Sequence, residues 1–335
     1  MDYIIDNINN VSQHQPEQNL QDQRKAEEST RFYHQLWQKA NDINQWATSE
    51  INNNNAPIQP LKTMIQQLEN GEGAFLWDTI IQSLKMEDSL ILNVFMPRAN
   101  YDMLTDHATN VAILSLRLGL STELYSHGKL IQLGTAALVH DLGMAGIQKS
   151  ILSQSANLSE EQTEEFMRHI PLGTKILSKL GEEYDWLTTI CSQEHERENG
   201  QGFPAGLAQD QIHHMSKIIG LTDTLESMTH PPWEMSPMDA IQTLITTQKK
   251  LFSASLLKIL LKELSPFPPG TYVRLNSKEI GQIIEISKGH PLRPSLKIIF
   301  DASGIPLKNP KIVHLKSKPL LYIVGSVKKS MFHSI

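Results

Sequence analysis

The chain has one cysteine, Cys191, among 335 residues. No internal disulfide can form, and a reducing compartment fits. It has no apolar run near the roughly 18 residues a membrane helix needs; "LLKILL" is far too short. The opening stretch "MDYIIDNINN" lacks a basic end followed by an apolar run, so it does not read as a signal peptide. There is no basic excess either. Net charge is -6 and the isoelectric point lies near 6.1, which argues against a broad face for duplex nucleic acid while leaving room for local basic patches. No internal repeat is visible, and strands do not alternate with helices as a parallel sheet would require. The expectation is a soluble cytoplasmic protein with neither duplex nucleic acid nor membrane as partner. Its length allows two domains, or one large domain with extensions.

What is present divides into four parts. Residues 1–30 are rich in Asn, Gln and charge and read as poorly ordered. Residues 31–87 form a helical amino-terminal region suited to sensing, dimerising or scaffolding. Phe32, Leu36, Trp37, Ile43 and Trp46 fall near helical spacing there, "INNNNAP" breaks the chain, and helical segments follow around 58–69 and 74–85. From 88 to 264 helix follows helix; "SEEQTEEFMRH" opens with Ser159 and Gln162 at capping-box spacing. From 265 to 335 the texture changes. "SPFPPG" is a turn signal, and "TYVRLN", "GQIIEIS", "SLKIIFD" and "KIVHL" are short β-branched runs that read as a small antiparallel β extension. The fold class expected is mainly α, a helical bundle with a helical amino-terminal region and this β extension.

The stretch "ALVHDLGMAG" sets His140 and Asp141 side by side where an apolar helix ends. A His near the last carbonyls with a following Gly is an ordinary helix C-terminus. A metal ligand pair is the sharper reading, and it needs partners. His107 lies in the first turn of a helix over 106–119. His169 ends the 159–169 helix. Glu194 and His195 precede a loop with Gly200, Gly202, Pro204 and Gly206. Asp223 sits mid-helix among apolar residues, where a carboxylate is costly unless paired or metal-bound. Nitrogen and oxygen donors without thiolates suit Fe, Mn, Zn or Co better than a structural zinc site.

These motifs, in this order, resemble the HD-GYP family, the metal-dependent branch of the HD superfamily associated with cyclic di-GMP hydrolysis. The family runs from an early helical His through His-Asp-x-Gly-Lys, His-Pro-x-x-Gly and His-His-Glu-x-x-Asp-Gly-x-Gly-Tyr-Pro to a helical Asp. This chain offers His107, "HDLGM", "HIPLG", "EHERENGQGFP" and Asp223, and the likeness extends over roughly 90–325, the "FPPGTYVRL" segment included. The resemblance implies an HD-type helical bundle and a cyclic-nucleotide phosphodiesterase holding two divalent ions, Fe or Mn foremost. His107, His140, Asp141 and Asp223 would hold one ion; Asp141 would bridge to a second on His169 and His195, and His140 with Asp141 would stand at the reacting centre. Two adjacent ions activate water and neutralise phosphate charge. The implied ligand is cyclic di-GMP or a related nucleotide. A homodimer or a signalling-protein partner is compatible with the sequence.

The departures fall on particular residues. Glu194 replaces the first His of the His-His pair and can still ligate, favouring harder metals. Met144 replaces the motif Lys, a cation suited to phosphate, which points to weak or lost turnover. Asn199 replaces an Asp and Phe203 the naming Tyr. "HPPWEM" at 230–235 lacks the Arg expected there. The second reading is therefore a degenerate module that binds a nucleotide or a protein without hydrolysis; the third is an HD phosphohydrolase acting on another nucleotide. Cys191, one turn before His195, is expected on an apolar helix face. His213 and His214 read as surface residues, Lys249 and Lys250 as a solvated face. The "GQG" glycines at 200–202 are expected to serve a tight turn near the metals.

Overall fold

A computed structural model describes residues 2–327 except 52, 54–56, 87–88, 97, 99, 153–157, 265–270 and 288–289; in the first helix, side chains are described from Arg24 onward, Ala26 excepted. That helix, α1, spans Asp2–Glu50. It takes in most of the segment 1–30. The stretch "EQNLQDQRKAEE" explains why: Gln, Glu, Arg, Lys and Ala lose little side-chain freedom in a helix, whatever their poverty in apolar groups. Leu36, Ala40, Ile43 and Ala47 are fully or almost fully buried, at spacings of four, three and four residues. Phe32, Trp37 and Trp46 flank this seam, half-buried.

Helices α2 (Gln59–Glu69), α3 (Gly71–Met86) and α4 (Ser89–Val94) follow. Their buried residues, among them Leu61, Ile65, Trp77 and Ile80, join α1 and the later helices in a single hydrophobic cluster. The amino-terminal region therefore shares a core with the rest of the bundle. At the centre lies α5 (Thr105–Ser121), buried without interruption from Thr105 to Gly119. A helix covered on every side has no need of an amphipathic stripe. Around it stand α6 (His127–Val139), α7 (Lys149–Leu152), α8 (Glu160–Met167), α9 (His169–Leu177), α10 (Asp185–Ser192), α11 (His214–Thr229), α12 (Pro237–Thr246) and α13 (Ala254–Glu263). The Ser159–Gln162 capping box forms at α8.

His169 opens α9, whereas the sequence reading made it the end of the preceding helix. Pro171 supplies the reason. Its ring is tolerated in a first turn, where no intrahelical N–H bond is required, but not further inside a helix.

The β extension is one antiparallel sheet in the order β4-β3-β2-β1-β5, with β1 Tyr272–Leu275, β2 Ile280–Ser287, β3 His290–Phe300, β4 Pro306–His314 and β5 Ile323–Ser326. Four strands were expected; β5 is additional. Val273, Leu275, Ile283, Leu296 and Ile298 bury one face, with Met238 of α12 packed against them. The turn expected at 265–270 lies outside the described residues. Among those described, no helix is long and apolar enough to cross a membrane.

Candidate metal centre

Local chemistry aims each side chain. The carboxylate of Asp102 accepts from the amides of Leu104 and Thr105 at 3.1 and 2.7 Å. It caps the start of α5 and fixes His107 in the first turn. At the end of α6, His140 donates through Nδ1–H to the carbonyl of Ala137 at 2.7 Å. His169 does the same with the carbonyl of Phe166 at 2.6 Å. A carbonyl only accepts, so in both rings Nδ1 carries the proton and Nε2 keeps a lone pair. The two readings of the His-Asp pair are therefore compatible: one nitrogen of His140 satisfies the helix end and the other is free to bind.

Those free nitrogens converge. His107 Nε2 lies 3.3 Å from His140 Nε2, 3.3 Å from an Asp223 oxygen and 3.5 Å from Asp141 Oδ2. His140 Nε2 is 3.5 Å from Asp141 Oδ2. On the other side His169 Nε2 is 3.4 Å from Asp141 Oδ1 and 3.1 Å from His195 Nε2. Glu194 stands behind, its oxygens 3.8 Å from the Nε2 atoms of His140, His169 and His195. Two donor groups result: His107, His140, Asp141 and Asp223, and Asp141, His169, Glu194 and His195. Within each, one atom per residue lies within 4.8 Å of the others. All seven sequence-predicted ligands are brought together, and Asp141 belongs to both groups.

Gly143 lets the two halves meet. A Cβ there would sit 1.8 Å from the carbonyl oxygen of His169, so only glycine allows the turn after Asp141 to touch α9. At the loop after His195, Gly200 adopts φ +74°, the left-handed turn expected of it. Glu196 holds this loop by accepting from the amides of Ala205 and Leu207 at 2.7 and 2.8 Å. Arg197 donates to the carbonyls of Glu194 and Glu196 at 2.8 and 2.9 Å. Phe203, at the position of the family Tyr, stacks on His195 with centroids 4.7 Å apart. The ring face is retained and the hydroxyl is lost.

The electrostatics fit a cation. Glu194 is fully buried, and neither of its oxygens has a hydrogen-bond donor; Asp141 Oδ1 is equally unpartnered. Such groups are expensive unless something positive compensates them. Burial, then Asp141 and Asp223, pushes the Glu194 carboxyl well above the usual range. Burial and the neighbouring His169 push His195 down to about 3. His140 is lowered by burial. Burial would raise Asp141, but His140 and His107 hold it well below the ordinary carboxylate range. Burial likewise would lower His107, but Glu226 with Asp141 and Asp223 overrides it and carries the imidazole well above its usual value. Imidazole nitrogens gathered with carboxylate oxygens, two of them on a buried carboxyl without a donor, are the donor set of a hard or intermediate divalent ion.

Glu226 escaped the sequence reading. It accepts from His107 Nδ1–H at 2.6 Å, from Tyr101 Oη at 2.7 Å and from Asn110 Nδ2 at 2.7 Å. This is the carboxylate–histidine pairing that fixes a ligand's tautomer and orientation. The one available signal was its position three residues after Asp223 on an otherwise apolar helix face. His230 of "HPPWEM" also turns inward, its Nδ1 3.0 Å from Glu226.

A cleft of about 110 Å³ opens onto the cluster, walled by Tyr101, Met103, Met144, Phe166, Pro232 and Trp233 among others, with no Lys or Arg among its described lining residues. Met144 is 6% exposed and packs with Ile147, Ile151 and Leu152, so its side chain is a packing element rather than a solvated rim. Cys191 is buried, its thiol 3.8 Å from the carbonyl of Ala136, as expected of an apolar face. His213 is exposed, but His214 is half-buried and bonds the Tyr125 hydroxyl, which corrects its reading as a surface residue.

Comparison with known proteins agrees with the geometry. Residues 93–256 match the HD domain family and residues 272–334 a KOW domain associated with HD domains. A cyclic di-GMP phosphodiesterase of Pseudomonas aeruginosa is 25% identical over 249 residues, covering 73% of this chain and 59% of that protein. A second, from Borreliella burgdorferi, is 27% identical over 218 residues, covering 64% and 55%. The chain thus spans a little over half the length of these relatives. The solved structure of an HDG"Y"P protein from Bdellovibrio bacteriovorus superposes with a TM-score of 0.48 at 16% identity, covering 66% of this chain and 76% of that one. Residues 93–256 thus carry an HD domain, and the order of the motifs together with the phosphodiesterase relatives supports the HD-GYP branch of that family.

Proposed function

We propose that the cleft is the active site of a metal-dependent phosphodiesterase that hydrolyses cyclic di-GMP or a closely related nucleotide. The observation that carries this is a single carboxylate, Asp141, shared by two four-residue donor groups, one of which includes a buried carboxylate with no proton donor. The names of the relatives support the substrate class. His107, His140, Asp141 and Asp223 would hold one divalent ion, and Asp141, His169, Glu194 and His195 the second, Mn or Fe being favoured by the nitrogen and oxygen donors. Ions bound there would supply Lewis acidity, polarising a phosphoryl oxygen and making water a stronger acid. The protein does the rest. The bonds from His140 and His169 to main-chain carbonyls fix which nitrogen faces the centre. The depressed Asp141 stays ionised to serve both groups. Met103, Met144 and Phe166 give the cleft an apolar wall beside the carboxylates and imidazoles.

One observation favours a second reading, a module that binds a nucleotide or protein partner without efficient turnover: among its described residues the cleft lining offers phosphate no Lys or Arg. Metal analysis with a cyclic di-GMP turnover assay separates the two. About two equivalents of metal and chelator-sensitive hydrolysis support the enzyme. Metal uptake and nucleotide binding without hydrolysis support the module. A protein that takes up neither refutes both.

A further inference from the structure

The contact behind His107 does not end at Glu226. The Nδ2 of Asn110 donates to Glu226 at 2.7 Å, which turns the Asn110 carbonyl oxygen the other way. That oxygen accepts from the hydroxyl of Tyr33 at 2.8 Å. Tyr33 belongs to α1, outside the segment matched by the HD family model. The donors converge on Glu226: Tyr33 donates to Asn110 and Asn110 to one Glu226 oxygen, while the other Glu226 oxygen accepts His107 Nδ1–H from the side of the centre. All four residues are buried. Tyr33 is itself fixed, with the Arg98 guanidinium 4.2 Å over its ring and Arg98 Nε 3.4 Å from Asp106. Burial pushes the Tyr33 phenol upward, so it stays a proton donor. In a buried chain of this kind each bond orients the next, and loss of one member leaves its neighbour unpaired.

We infer that Tyr33 is a positioning residue for the metal centre: the amino-terminal helix holds the His107 imidazole in its ligating orientation through Asn110 and Glu226. The inference rests on reading the cluster as a metal centre. It gives α1 a role beyond scaffolding, since displacement of this helix would be felt at one donor group and not at the other.

The test is titration of the metal-free protein, residues 1–335, with Mn²⁺, following both binding steps. Tyr33→Phe keeps the ring and removes only the hydroxyl. It is expected to weaken one step about three- to tenfold, the worth of one buried hydrogen bond, and to leave the other within about twofold on the same scale. Glu226→Gln, one step nearer, is expected to weaken the same step about 10- to 100-fold. Ser29→Ala is the control for general loosening. It removes another buried α1 hydrogen bond, Ser29 to Ser89 at 2.8 Å, which does not lead to His107, and both steps should stay at their wild-type values. Wild-type binding in Tyr33→Phe, or equal weakening in Tyr33→Phe and Ser29→Ala, overturns the inference while the metal centre stands. A wild-type protein that takes up no Mn²⁺ removes the metal centre and the inference together.

Discussion

His107 and His195 face the shared carboxylate Asp141 from opposite sides, and their surroundings differ in charge. Behind His107 stands Glu226, ionised and saturated with donors from Tyr101, Asn110 and His107 itself. Over His195 lies the uncharged ring of Phe203, and beside it Glu194 has no donor at all. The first group balances its own charge and keeps its geometry through hydrogen bonds. The second pairs a depressed imidazole with a carboxyl forced upward by burial. The contrast teaches that the first group is organised in advance by its own hydrogen bonds, while the second is the one that a cation, bound as proposed, would compensate most.

The severest way to break this comparison is Asp141→Ala, since the lost carboxylate serves both groups. Both metal equivalents and at least about a hundredfold in hydrolysis should disappear together. Metal stoichiometry that stays at the wild-type value would rule out the bridging role. Glu194→Gln sharpens the comparison by striking the second group alone. Stoichiometry should fall from about two to about one, while the metal-free protein melts a few degrees higher because a buried carboxyl whose ionisation the fold disfavours is gone. Working out the sign, a carboxyl whose folded pKa is raised penalises folding only above its unfolded value. The gain should therefore be present at alkaline pH and vanish below about pH 4.5.

Met144→Lys comes next in size. Its ammonium must leave the cluster of Ile147, Ile151 and Leu152, so the melting temperature should fall by several degrees, for about 1–3 kcal/mol of lost packing and desolvation. Hydrolysis is expected to stay within about threefold. A Lys variant of undiminished stability that turns over tenfold faster would show instead that the missing phosphate cation limits this site. The smallest effect lies in the pH dependence of the metal-free protein. His195, lowered to about 3, binds fewer protons folded than unfolded between there and 6.5, so it makes stability rise with pH across that window. His107, raised above 6.5, contributes stability that is lost as pH climbs through its folded value. Melting curves from pH 4 to 9 should lose the acid slope in His195→Gln and the alkaline slope in His107→Gln.

The residues that converge around Asp141 were legible as candidates because each sits in a short motif with its own local reason. His140 and Asp141 close an apolar helix, Glu194 and His195 precede a glycine loop, and Asp223 interrupts an apolar face. Glu226 was not legible, because nothing in "TLESM" separates a carboxylate that braces a histidine from one that meets solvent. His169 was misplaced by one helix because the proline two residues on was not read as a helix start.

The sequence by itself determined the helical class, the β extension and which side chains can bind a cation, since periodicity, turn residues and donor chemistry are local properties. The packing of α5 against α6, α11 and α1 decided the rest. It brings Asp141 between two donor groups, leaves Glu194 buried without a proton donor and connects Tyr33 to His107 across 74 positions of chain. Distances between residues far apart in sequence depend on how whole helices pack against one another, and no short stretch of the chain encodes them.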